Sequence, residues 1–178
     1  MNDPGFAHLP AGLLVLLAAL VAERLLELVV ARRNARWAAA RGGVEYGQGH
    51  YPVMVVLHVG LVVGVLAEVA LVPRAFVPAL GWTALAAVVL ANVVRAWCVH
   101  ALGPRWNTRV IVIPGLPLVS DGPYRWMRHP NYLIVIVEGV ALPLVYSAWL
   151  TALVFTVANA ALLTVRVCLE DRVLGPVA

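Results

Sequence analysis

The 178-residue chain is built of long apolar blocks separated by short stretches that carry arginine. The first block covers 13–30 and is closed by Arg32, Arg33 and Arg36. The second covers 53–72 and ends at Pro73-Arg74, and a third covers 76–94 and runs into Arg95. The last apolar stretch, 132–165, has 34 residues. As one helix it would be about 50 Å long, against a hydrocarbon core of about 30 Å. Pro143, followed by Tyr146, Ser147 and Trp149, supplies a breaker and interfacial aromatics midway. The pattern therefore predicts a hairpin of two short helices, 132–146 and 149–165, and five spans in all. No block shows the alternation of a barrel strand, and lipid excludes open sheet edges. The expected fold is all-α: one membrane domain over 1–178, a bundle of about five transmembrane helices.

Composition agrees. Hydrophobic residues make up 62% and charged residues 12%, with mean hydropathy +0.89; a soluble domain carries about 25% charged residues. A disordered chain is excluded. All 13 basic residues are arginine, and the formal net charge is +4. These arginines flank apolar blocks instead of forming a solvated stripe, so they speak for membrane topology and not for nucleic acid. Nine of them (Arg32, Arg33, Arg36, Arg41, Arg105, Arg109, Arg125, Arg128, Arg172) fall on one side of the five-span arrangement, and Arg74 alone on the other. The N-terminus is expected outside, with the two long loops and the C-terminus in the cytoplasm. Residues 1–10 carry no basic stretch, so the first block is read as a retained span. Cys98 and Cys168 lack CxxC spacing and are read as buried thiols. The five histidines show no metal-ligand spacing, and no metal is expected.

Polar residues inside spans are costly and raise a functional question each. Glu23, Arg24 and Glu27 lie towards the inner end of the first span; Arg24 is placed to pair with Glu27 or with Glu68 of the second. Glu68 itself lies near the outer end, within reach of headgroups. Glu138 falls mid-helix, with Asn92, Arg95 or Asn159 as partners; it either pairs structurally or lines a polar cavity.

The loop HALGPRWNTRVIVIPGLPLVSDGPYRWMRHPNY interleaves Trp106, Tyr124 and Trp126 with Arg105, Arg109, Arg125 and Arg128. Pro130 suits the first turn of the fourth span, which places His129 and Asn131 at a helix N-terminus, where free amides and the dipole attract an anionic group. A basic, aromatic loop lying against the membrane would need no ligand, so both readings stand on composition. Beyond the fifth span, Arg166 and Glu170 are four apart and share a helix face. Beside the His129 mouth they offer one cationic and one anionic anchor, which suits a zwitterionic, aromatic small molecule with hydroxyls.

The run LPLVSDGPYRWMRHPNY, with Arg166 and Glu170 downstream, resembles the signature of the isoprenylcysteine carboxyl methyltransferase family and the related phospholipid methyltransferases. The first half, from ERLLELVVARRNARW to GGVEYGQGHYPVMVVLH, resembles a bacterial branch whose members O-methylate alkylresorcinols or alkylpyrones. The resemblance implies a small multi-span enzyme of a bacterial inner membrane. It would use S-adenosylmethionine (AdoMet) at a cytoplasmic site made by loop and tail, with a lipophilic acceptor and neighbouring membrane lipid as partners. Carried over by position, the cofactor contacts fall on Leu116, Pro117, Leu118, Val119, Tyr124, His129, Pro130, Asn131, Tyr132 and Glu170, and the substrate-contacting, catalytic arginine on Arg166. The chain departs from the family pattern in three places: Arg109 stands about where a glutamine is usual, Leu116-Pro117 replaces a polar pair, and Asp171 replaces a second glutamate. O-methylation of a carboxylate or phenol is the implied activity. Methylation of a phospholipid amine is the alternative within the enzyme class; outside it stand a small membrane carrier and a non-catalytic subunit.

Overall fold

The computed structural model describes residues 9–72 and 74–175. Five helices carry the fold: α1 (Ala11–Ala39), α2 (His50–Leu71), α3 (Pro78–Leu102), α4 (Pro130–Leu144) and α5 (Trp149–Leu174). Two three-residue strands, β1 (Val44–Tyr46) before α2 and β2 (Val110–Val112) before α4, pair antiparallel with Glu45 opposite Ile111. This small sheet departs from the all-helical expectation. It lies in the connecting loops, where runs of three residues leave no readable period. The bundle is an all-α integral membrane fold. Helices α2, α3 and α5 are long and apolar enough to cross a membrane. Helix α4 has 15 residues, about 22 Å, and α1 carries Glu23, Arg24 and Glu27 within its apolar stretch. Residues 1–8, for which an outside location is expected, lie outside the described residues.

Many large apolar side chains, Val15, Leu26, Val56, Leu90 and Leu153 among them, face outward, as lipid allows. The buried faces are narrow. In α1 the inward positions are Leu13, Leu17, Leu20, Ala31, Asn34 and Ala38, and the same spacing places Arg24 and Glu27 between them. Small residues permit the close approach of α4 and α5: a Cβ on Gly139 would collide with the Phe155 ring. Ala84 and Ala91 are buried, whereas Ala86, Ala160 and Ala161 face outward.

The α4–α5 hairpin forms, but only α4 is short: α5 continues past the expected end at 165 to Leu174 and has 26 residues. Helix α4 ends one residue past Pro143, Ser147 takes a positive φ of 58°, and α5 starts at Trp149. Glu68 corrects an expectation here. Instead of reaching headgroups it is buried, accepts from the Leu150 and Thr151 amides at 3.1 and 2.7 Å, and takes the Arg74 guanidinium at 2.5 Å. A carboxylate from α2 thus caps the N-terminus of α5, satisfying amides that have no intrahelical partner. Cys168 also differs, being exposed at the end of α5, while Cys98 is buried as expected.

The apolar core gathers at the hairpin end, from Leu13, Leu17, Leu61, Val65, Ala84, Val88, Leu142 and Phe155. Towards the other end, where the long loops attach, the helices part around a cavity.

Candidate active site

The loop reaches the cavity through a series of local devices. Gly122, at φ +57°, turns the Ser120–Pro123 run into a short 3-10 turn that brings Tyr124 against the α3–α4 cluster of Ala91, Cys98 and Ile134. Burial pushes the Tyr124 hydroxyl well above its usual range. Arg105 donates to the Pro117 carbonyl at 2.6 Å and so fixes the 116–119 run, whose Leu116 and Leu118 remain exposed towards the opening. Asn34 of α1 donates to the carbonyls of Gly103 and Trp106, at 3.2 and 2.8 Å, and ties the start of the loop to the bundle.

Proline at the first position of α4 leaves His129 as the residue before the helix. Its two ring nitrogens face two carboxylates of α5: Nδ1 lies 3.2 Å from Glu170 and Nε2 lies 3.0 Å from Asp171. Only the imidazolium donates from both nitrogens. The hydrogen bond to Glu170 first, then that to Asp171, raises the pKa of His129 above its ordinary 6.5. The His129 ring stacks on Tyr132 with centroids 5.5 Å apart. The Tyr132 hydroxyl donates to Glu170 and accepts from Arg166 Nε at 3.2 Å. Arg166 and Glu170 share a helix face as expected, yet no direct bond joins them; the tyrosine hydroxyl stands between.

Arg166 is buried, and its orientation is fixed by two oxygen partners, Tyr132 and the Thr108 carbonyl, the latter at 3.1 Å from Nη2. Its remaining arm, Nη1, faces the Met54 sulfur at 3.3 Å, a weak acceptor. That arm is the one available to another oxygen.

All eleven residues that the family resemblance assigns to the site line one cavity of about 770 Å³, within the usual range of about 300–1,000 Å³ for small-molecule sites. The structure adds wall residues that the sequence did not mark: Tyr51, Met54 and His58 of α2, and Thr108 through its carbonyl. Met54 and His58 are one turn apart, a spacing visible in the sequence but common in any helix. Arg109 pairs with Glu45 of β1 at 3.1 Å and lies over the Tyr51 ring at 4.6 Å. Deeper in, Arg24 holds Glu27 at 2.5 Å and both Glu138 and Asn92 at 3.1 Å, so it pairs within α1 and with α4, and not with Glu68. Arg95 closes on Glu138 and reaches Asn131 at 3.4 Å, which links this buried ion cluster to the start of α4. Asn159 makes no bond to Glu138. Among the described residues no group of three metal-ligating side chains occurs.

Residues 82–176 match the sequence pattern of the isoprenylcysteine carboxyl methyltransferase (ICMT) family, a match that takes in α3, the loop, α4 and both anchors on α5. The chain belongs to that family. The family is one of membrane methyltransferases, which supports methyl transfer as the class of chemistry of this chain. The chain is similar to YpbQ of Bacillus subtilis strain 168, an uncharacterized protein, with 41% identity over 90% of this chain and 95% of that one. It also resembles an uncharacterized protein of Haemophilus influenzae Rd, with 23% identity over 89% of this chain and 92% of the other. No solved structure matches the chain.

Proposed function

We propose that the protein transfers a methyl group from AdoMet to an oxygen of a lipophilic acceptor. The observation that carries this reading is the His129–Tyr132–Arg166–Glu170 array at one end of a cavity whose walls turn apolar towards the other. We place that array at the cytoplasmic face of a bacterial inner membrane, with all five helices spanning and the N-terminus outside, on the strength of the arginine distribution.

The donor set fits AdoMet. Glu170 and Asp171 offer acceptors for an ammonium and for ribose hydroxyls, and the exposed Leu116 and Leu118 offer an apolar surface for a purine. When bound, the cofactor supplies an electrophilic methyl on a sulfonium sulfur. The residues then have separate tasks. Glu170, next to the cavity, favours a cation there and is held in place by Tyr132 and His129. Arg166, with Nη1 left to a weak protein partner, binds and orients the acceptor oxygen. A carboxylate needs no base for attack; a phenol has a pKa near 10 and gains from a guanidinium that favours its phenolate. Holding both reactants in line can supply about 7–11 kcal/mol of barrier reduction. The α3–α4 loop, β2 included, lines this end of the cavity, and the lower apolar walls accept a tail.

The likeness of the first half of the chain to alkylresorcinol and alkylpyrone O-methyltransferases points to a long-chain phenol or hydroxypyrone as acceptor. A buried, fixed cation opposes the ammonium head of a phospholipid amine. The test is transfer of a labelled methyl from AdoMet by the purified protein in lipid nanodiscs, offered a prenylcysteine, a long-chain phenol or phosphatidylethanolamine. Label on the phenol is the expected result. Label on the amine alone would reverse the assignment of Arg166, and the absence of AdoMet binding would reject the reading.

A further inference from the structure

The cavity has a second polar zone, deeper in the bundle than the His129–Glu170 array and joined to the start of α4 through Arg95 and Asn131. Arg24, Glu27, His58, Arg95, Glu138 and Asn159 line it at one level of the bundle. Contacts between the helices set this level: both arginines meet Glu138, the neighbouring Gly139 abuts Phe155, and His58 packs edge-on against Phe155 at 5.6 Å. Asn159 is one turn along α5 from Phe155. Beyond this collar the lining is apolar again, with Leu20, Leu61, Val62 and Leu142. A polar collar between two apolar zones is an unfavourable place for a plain hydrocarbon tail.

Three of its atoms are buried without a hydrogen-bond partner among the described residues: Asn159 Oδ1, Arg24 Nε and Arg95 Nε. Asn159 is 2% exposed and Arg95 5%. Arg95 Nε is 3.9 Å from Glu27, too far for a hydrogen bond. Buried polar groups are normally satisfied, so this set calls for an occupant that both donates and accepts. Charge narrows the choice. Two guanidinium groups are already matched by the Glu27 and Glu138 carboxylates, with Glu23 as a more exposed third at 3.4 Å from Arg24. The unpartnered atoms decide further: an ammonium could not accept from an arginine Nε and an anion could not donate to Asn159 Oδ1, whereas a neutral hydroxyl does both.

We propose that the collar around Asn159, Arg24 and Arg95 is a second recognition site that reads a neutral hydroxyl partway along the acceptor's chain. It rests on the reading of this cavity as the acceptor site. Asn159 and Arg166 are seven residues apart on one helix, about 10 Å along its axis, which sets the separation between the read hydroxyl and the methylated oxygen. Among phenolic acceptors of equal length, one that carries such a hydroxyl then binds more tightly than one with a purely hydrocarbon tail.

The test compares 4-dodecylphenol with the same phenol carrying a hydroxyl midway along its chain, titrated into the full-length protein in nanodiscs. Binding is read from the shift in melting temperature, and methyl transfer from AdoMet is measured in parallel. The hydroxylated phenol should bind the wild type about fivefold to tenfold more tightly, the size of one net hydrogen bond, and Asn159→Leu should bind the two equally. Equal binding by the wild type, the result expected if the collar holds only water, overturns the proposal and needs no variant. A preference that survives Asn159→Leu also overturns the role given to Asn159. Discrimination in binding without methyl transfer would reject the methyltransferase reading while leaving the collar; methyl transfer without discrimination would do the reverse.

Discussion

Arg166 is the residue whose replacement separates chemistry from scaffolding. Its guanidinium makes two protein hydrogen bonds, Nε to Tyr132 and Nη2 to the Thr108 carbonyl, and keeps Nη1 for the cavity. A hydrogen bond to a charged group contributes about 1.5–3 kcal/mol, so Arg166→Ala removes about 3–6 kcal/mol of support from a fold whose whole stability is of order 5–15 kcal/mol. The alanine variant should melt well below the wild type and loosen the loop around Thr108. Arg166→Lys is the sharper probe. It keeps a charge, and its ammonium can reach one of the two oxygens, but a point charge cannot hold both and still present a third donor. Loss of one preoriented donor to a developing oxyanion costs about 100–1,000-fold in kcat, or about 3–4 kcal/mol of barrier. We therefore expect Arg166→Lys to melt within a few degrees of the wild type, to bind AdoMet nearly unchanged, and to turn over at least tenfold more slowly. The assay measures melting temperature, AdoMet affinity by calorimetry and labelled-methyl transfer at saturating cofactor, all on the same preparation in nanodiscs. A lysine variant with wild-type kcat and a lowered melting temperature would refute the reasoning and reduce Arg166 to an anchor for the loop.

Three further outcomes follow from the geometry. Glu68→Gln weakens the ion pair with Arg74 and replaces one oxygen acceptor at the start of α5 by a donor, so a stability loss of about 1–2 kcal/mol is expected; an unchanged melting temperature would discount the cap. Glu138→Ala leaves Arg24 and Arg95 facing each other without their shared carboxylate, and loss of a partner from a buried pair costs about 3–5 kcal/mol, readable as a lower melting temperature with the wild-type apolar surface unchanged. His129 has a folded-state pKa raised by Glu170 and Asp171, so its stabilisation is complete below about pH 6.5 and is lost as pH rises through the raised value. Melting temperature should thus fall as pH rises above about 6.5, and His129→Gln should flatten that dependence; a parallel slope in the variant would assign the effect to another group.

Block lengths alone determined that this chain is a helical membrane bundle, because apolar runs of bilayer length leave lipid-exposed backbone no other way to satisfy its hydrogen bonds. The hairpin was equally legible, since Pro143 cannot continue an α-helix unperturbed and 34 apolar residues exceed the membrane. The family was legible for a different reason: RHPNY and the Arg166–Glu170 spacing carry the resemblance, and both lie within the stretch that matches the family pattern. What the sequence could not contain is pairing across helices. Glu68 reads as a headgroup contact until α5 is seen to begin beside it, for the amides it caps lie more than eighty residues away. Arg166 and Glu170 read as a pair by their four-residue spacing, and only the approach of α4 inserts the Tyr132 hydroxyl between them. Arg24 had equal claims on Glu27 and Glu68 by residue type, and the packing of α1 beside α3 and α4 decided for Glu27 and Glu138. Spacing along a chain fixes which side chains share a helix face; which face meets which is decided by close packing of whole helices, where small residues such as Gly139 set how near they come.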